Sequence, residues 1–135
     1  LNNDLYALAD QLGIVVLSFP LPNCESISLE NDDNYYIGID DMQLDSSKEE
    51  RVHLAHELGH CVTGSFYNEY SLVDNRGKCE ATADRWAVKK LINKDELLRQ
   101  IKNGMEVWNL AEYFNVTEDF VRKAYHLYFE VQMAV

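Results

Sequence analysis

The chain has 135 residues, 47% of them hydrophobic, and carries 23 acidic residues against 12 basic ones for a net charge of −11. That length makes a single domain, 1–135, with a genuine core and no room for a second. The longest apolar run, Ile14-Val15-Val16-Leu17, is far short of a membrane span. No basic segment with a cleavage site precedes it, so the expectation is a cytoplasmic protein with no membrane contact. The cysteines, Cys24, Cys61 and Cys79, are odd in number and lack metal-knuckle spacing. They suggest buried thiols rather than a disulfide framework or a Cys-rich zinc site.

In residues 3–12, Leu5, Leu8, Ala9 and Leu12 fall at helical spacing, with Asn2 or Asn3 as cap and Gly13 as stop. Residues 14–19 are β-branched and apolar and are bounded by Gly13, Pro20 and Pro22, the pattern of a buried strand. Residues 26–30 make a weaker strand candidate. After a turn at Asn31-Asp32-Asp33-Asn34, residues 35–40 alternate Tyr35, Ile37 and Ile39 against Tyr36, Gly38 and Asp40. A small mixed or antiparallel sheet is therefore expected within about residues 1–45. An extended peptide can be held as an added strand on a sheet edge. By position, residues 35–40 are the edge-strand candidate, with Tyr35, Tyr36 and Ile37 as candidate substrate contacts.

The next segment is organised around His56-Glu57-Leu58-Gly59-His60. Ser46 with Glu49, or Ser47 with Glu50, forms a capping box, and Gly64 is placed to end the helix. Val52, Ala55, Leu58, Gly59 and Val62 recur on a face different from the histidines. Residues four apart on a helix lie one above the other, so His56 and His60 can grip one metal ion. Glu57 can reach a water on that ion and serve as general base. His53, one turn earlier, reads as a rim or structural histidine.

A hydrolytic zinc site takes three protein ligands and keeps one position open. The best third ligand is Glu80, in a second helix starting after Asp74 or Asn75 and ending near Leu91. Glu80, Asp84, Ala87 and Leu91 share a face, with Ala83 beside it, and small residues there would let this helix lie close against Gly59 of the first. Asp84 is then placed to accept the free N–H of a zinc-bound histidine. Two histidines and a carboxylate suit Zn2+ best, and the same ligands also accept manganese, iron or cobalt. Between the helices, Tyr67, Tyr70 and Arg76 are candidates for stabilising an oxyanion, as are Tyr125 and His126 near the C-terminus.

Residues 92–135 are expected to be helical: one helix capped by Asn93 with Glu96 and stopped at Asn103-Gly104, one over 105–114, and one over 117–131 capped by Thr117. The rhythm of residues 110–117 is like that of a helix-turn-helix, which raises direct DNA binding as a rival function. Phosphate contacts need Lys and Arg, however, and the last helix opens with Glu118 and Asp119. The fold class is thus α+β: a small sheet, a zincin-like active-site helix and a helical C-terminal part.

The HELGH helix followed by Glu80-x-x-Ala83-Asp84-x-Trp86-Ala87 resembles the ImmA/IrrE-type metallo-endopeptidases of bacteria, phages and mobile elements. The resemblance covers the core from about residue 14 to 87. It implies that His56, His60 and Glu80 bind zinc and that Glu57 is the catalytic base. It further implies an anti-repressor role, with a helix-turn-helix repressor of a phage or mobile element as the protein substrate. Residues 1–50 hold eleven acids against one base, so a groove lined by the sheet would favour such a basic partner. The alternative is a zinc-containing sensor or binding module that holds its partner without cutting it.

Overall fold

A computed structural model describes residues 2–130. Helix α1 (Asn3–Gln11) leads into a sheet of β1 (Val15–Ser18), β2 (Ser26–Asn31) and β3 (Asn34–Ile39), and a 3-10 turn (Asp41–Gln43) then delivers the chain to α2 (Ser47–Thr63). Helices α3 (Val73–Leu91), α4 (Lys94–Lys102), α5 (Val107–Phe114) and α6 (Glu118–Tyr125) follow, and α6 runs on as a wider π turn (His126–Glu130). The fold is α+β, and the expected helical stretch at 117–131 reaches its last residue outside the described ones. Among the described residues, no helix is long and apolar enough to cross a membrane.

The sheet is mixed. Its strand order is β1-β3-β2, with β1 parallel to β3 and β2 antiparallel to it. This corrects the edge-strand expectation: residues 35–39 fall in the central strand, where Tyr36 and Ile37 are paired with β1 on one side and β2 on the other and Tyr35 is paired with Glu30 of β2, so the strand is not an edge open to an added one. Ile37 and Ile39 are instead core residues. The two edge strands are β1 and β2, the weaker strand candidate. The hairpin from β2 to β3 turns through Asp32 and Asp33, both at positive φ, 53° and 64°. Two successive left-handed residues match the twist of an antiparallel pair.

Local chemistry fixes the ends of α2. The Ser46 hydroxyl accepts from the Glu49 N–H, the Glu49 carboxylate accepts from the Asp45 N–H, and Gly64 closes the helix at φ 69°. The N-terminal segment is tied to this helix by the Asn2 amide, which donates to the Ser47 carbonyl and to Glu50, and by a two-pronged ion pair between Arg51 and Asp4. The buried apolar face of α2 is Leu54, Ala55, Leu58 and Cys61, whereas Val62, expected inside, is 45% exposed. Helix α3 starts at Val73, slightly earlier than expected, and packs Ala83, Ala87, Val88 and Leu91 inward.

The two helices meet at one close approach. A Cβ on Gly59 would lie 2.7 Å from the Ala83 carbonyl oxygen, a backbone atom that cannot swing aside. Cys61 is buried in the same region, and burial pushes its thiol up to about 12, with the Glu57 charge adding to the effect. All three cysteines are free.

Two outcomes follow from this packing. Gly59→Ala should force α2 and α3 apart, costing roughly 1–3 kcal/mol as overpacking does, seen as a lower midpoint in thermal unfolding. The Glu96 carboxyl is held down at about 2, below its ordinary 4.5, by hydrogen bonds from Arg99, Tyr113 and Gln100. A depressed carboxyl adds stability above its unfolded value and loses it as pH falls. Unfolding followed from pH 5 to pH 2 should therefore show an acid-sensitive component that Glu96→Gln removes.

Candidate metal centre

One turn of α2 stacks His56 above His60, and their rings meet edge-on with centroids 4.8 Å apart. Glu80 reaches across from α3, its two oxygens 3.1 Å from His56 Nε2 and 2.9 Å from His60 Nε2, and the two Nε2 atoms are 3.2 Å apart. One ligand atom from each of the three residues lies within 4.8 Å of the others. This cluster brings together residues 56, 60 and 80 as the spacing predicts.

The outer nitrogens decide what the inner ones can be. His60 Nδ1 faces the Ser65 carbonyl oxygen, which only accepts, so that nitrogen carries the proton. His56 Nδ1 donates in the same way to the Asp84 carboxylate at 2.8 Å. In the neutral rings Nε2 is then an unprotonated lone pair on both histidines, and it faces a carboxylate that is likewise an acceptor. Three acceptors turned on one point repel one another and are satisfied by a cation. The donor set therefore fits a divalent metal, with Asp84 and the Ser65 carbonyl fixing ring orientation from outside.

Charge around the cluster is predominantly negative and favours a cation there, whether a proton on His56 or a metal ion. Burial disfavours the charged form of His56, but the Asp84 hydrogen bond and the nearby Glu57, Asp84 and Glu80 charges outweigh it and raise the imidazole above its ordinary value. Burial would raise Asp84, yet the His56 hydrogen bond and the Lys123 ammonium hold it below the usual carboxylate range. Lys123, on α6, sits 3.2 Å from the same oxygen that receives His56. No spacing rule links residues 84 and 123, so this contact could not be read from the sequence.

Glu57 is adjacent in the chain and 7% exposed, and its Oε2 accepts from the Ser26 hydroxyl at 2.7 Å. Among the described residues no hydrogen bond occupies its other oxygen. A cleft of about 300 Å³ opens beside the cluster, lined by Glu57, Glu80, the successive β2 residues Ser26, Ile27, Ser28 and Leu29, and Phe66 and Tyr67 from the segment between α2 and α3. Successive residues of a strand point to opposite faces. A cleft touching four in a row therefore meets the strand along its edge.

Of the oxyanion candidates, Tyr67 borders this cleft, and its ring stands edge-on to His60 with centroids 6.2 Å apart. Burial and a hydrogen bond to Glu80 raise its phenol. Arg76 packs over the Tyr67 ring and Tyr70 is 87% exposed, while His126 lies near Glu130 instead. Tyr35 does not line the cleft and stacks on Phe66, which does.

The family model described as the IrrE N-terminal-like domain, a peptidase family, matches residues 9–126. No curated protein matches the chain.

Glu80→Ala and His60→Ala should abolish stoichiometric metal uptake, measured by elemental analysis after dialysis. Asp84→Ala should retain binding but weaken it about 10–100-fold, as loss of a histidine's outer partner does, measured by competition with a chromogenic chelator.

Proposed function

The chain belongs to the IrrE N-terminal-like peptidase family, and from that membership we propose that it is a zinc-dependent endopeptidase whose substrate is a helix-turn-helix transcriptional repressor of a phage or mobile element. The observation that carries the catalytic part is the convergence of three acceptors, His56 Nε2, His60 Nε2 and a Glu80 oxygen, with the free oxygen of Glu57 beside them. Bound there, zinc would supply Lewis acidity, lowering the pKa of a water toward neutrality and polarising a carbonyl.

The chain's own residues do the rest. Glu57 takes the proton of the attacking water and hands one to the leaving amine, the two tasks of a single general acid–base. Asp84 and the Ser65 carbonyl keep both rings aimed inward. The free edge of β2 offers backbone groups to an extended peptide in the cleft. Tyr67 is the side chain with the best position to donate to a developing oxyanion.

The substrate class draws its support from family membership and from charge. Eleven acids against one base in residues 1–50 surround the sheet, which favours a basic partner such as a DNA-binding protein. Direct nucleic-acid binding has little behind it: α6 turns Phe120, Val121 and Ala124 into the core, and Arg122 is paired with Glu118 and Asp119. Three free cysteines suit a cytoplasmic setting.

Incubation with purified helix-turn-helix repressors and mass spectrometry of the products tests this reading. Wild-type protein loaded with zinc should cut one of them, and Glu57→Gln should keep the metal and fold while losing at least about 100-fold in rate. Full activity in Glu57→Gln would show that the base is misassigned.

A further inference from the structure

Behind Glu57 lies a line of polar groups that metal binding does not use. Ser26 Oγ, at the start of β2, is 2.7 Å from Glu57 Oε2 and 2.9 Å from His53 Nδ1, and His53 Nε2 is in turn 2.9 Å from Glu25 Oε2. The line runs outward from the nearly buried Glu57 to Glu25, whose side chain is 47% exposed.

Hydrogen-bond bookkeeping gives this line a direction. An ionised Glu57, the form a general base needs, can only accept. Ser26 has one hydroxyl proton, and Glu57 claims it. The Ser26 oxygen is then an acceptor toward His53, so His53 Nδ1 must carry a proton and donate it. Glu25 accepts from the opposite ring nitrogen, so both ring nitrogens donate and the arrangement is that of the doubly protonated, cationic His53 ring. Every group has a partner of the right sense, and the serine hydroxyl, otherwise free to rotate, is held in one orientation.

We propose that Ser26 and His53 are positioning residues for Glu57: His53 fixes the Ser26 hydroxyl as a donor, and Ser26 pins one carboxylate oxygen so that the other faces the metal-side water. The proposal rests on the peptidase reading for its rate consequence, whereas the proton placement on His53 stands on hydrogen bonding alone. It gives β2 a second duty. The strand whose free edge is open to a substrate also holds the base through its first residue, so a peptide seated on β2 and the carboxylate that serves it share one support.

Pinning a carboxylate trims the motion of a reacting group, and losing such orientation commonly costs about tenfold or more in rate. In zinc-loaded protein, Ser26→Ala should lower kcat about tenfold with KM and zinc content unchanged, and Ser26→Thr, which keeps the hydroxyl, should restore it. His53→Leu should behave like Ser26→Ala. His53→Asn retains a donor near the Nδ1 position and should recover most of the loss.

Long-range 1H–15N spectra of the histidine rings supply a readout that needs no substrate. His53 should show a protonated Nδ1 in the wild type, and its signal should shift in Ser26→Ala. An unprotonated Nδ1 in the wild type would overturn the proposal. So would an unchanged kcat in Ser26→Ala, or a loss of zinc from that variant, which would make Ser26 part of the metal scaffold instead. If the spectra match and no repressor is cut by any variant, the hydrogen-bond line stands and the peptidase reading falls.

Discussion

The metal centre depends on how closely α2 and α3 approach. Glu80 can complete a set with His56 and His60 because Gly59 lies against the Ala83 backbone with no room for a side chain between them. A helix pair with ordinary side chains at the contact sits with axes 8–10 Å apart, whereas small residues permit closer approach. The same contact brings Asp84 to His56 Nδ1, so one packing choice places both the candidate ligand Glu80 and the carboxylate that holds the His56 ring. The apolar residues around it, Leu54, Leu58, Ala87 and Val88, are fully buried and hold the approach in place.

Polarity inside that packing is organised by direction as much as by charge. The two imidazoles spend their N–H groups on outward partners, Asp84 and the Ser65 carbonyl, and turn lone pairs toward Glu80. An inward arrangement of acceptors is unfavourable in a partly buried site unless a cation occupies it, and a metal would convert that cost into affinity. Lys123 compensates part of the negative charge from the other side by pairing with Asp84. The C-terminal helices thus contribute to the surroundings of the centre through one ammonium.

What the sequence revealed and what it concealed divide along physical lines. Interactions within one helix were legible: the Ser46 cap, the Gly64 stop and the i, i+4 histidines all follow from local geometry and appear as expected. Glu80 and Asp84 were legible because hydrolytic chemistry requires a third ligand and the second helix offered one face bearing both. Strand order was not. Alternation in residues 35–40 marks a strand, but nothing in it distinguishes a centre from an edge, and β1 pairs with β3 across the intervening β2. Consequently the cleft is bordered by Ser26 to Leu29 rather than by Tyr35, Tyr36 and Ile37. Contacts such as Ser26 to Glu57 and Lys123 to Asp84 join residues 31 and 39 positions apart, and no local pattern encodes them.

The central claim is that one metal ion sits between the inward nitrogens of His56 and His60 and a carboxylate oxygen of Glu80. Anomalous diffraction from zinc-soaked crystals, recorded on both sides of the zinc absorption edge, tests it most directly. A single strong peak about 2.0–2.2 Å from those three atoms, with Glu57 close by but outside the ligand set, is the predicted result. A peak bound through Nδ1 of either histidine, or none at the cluster, would contradict it.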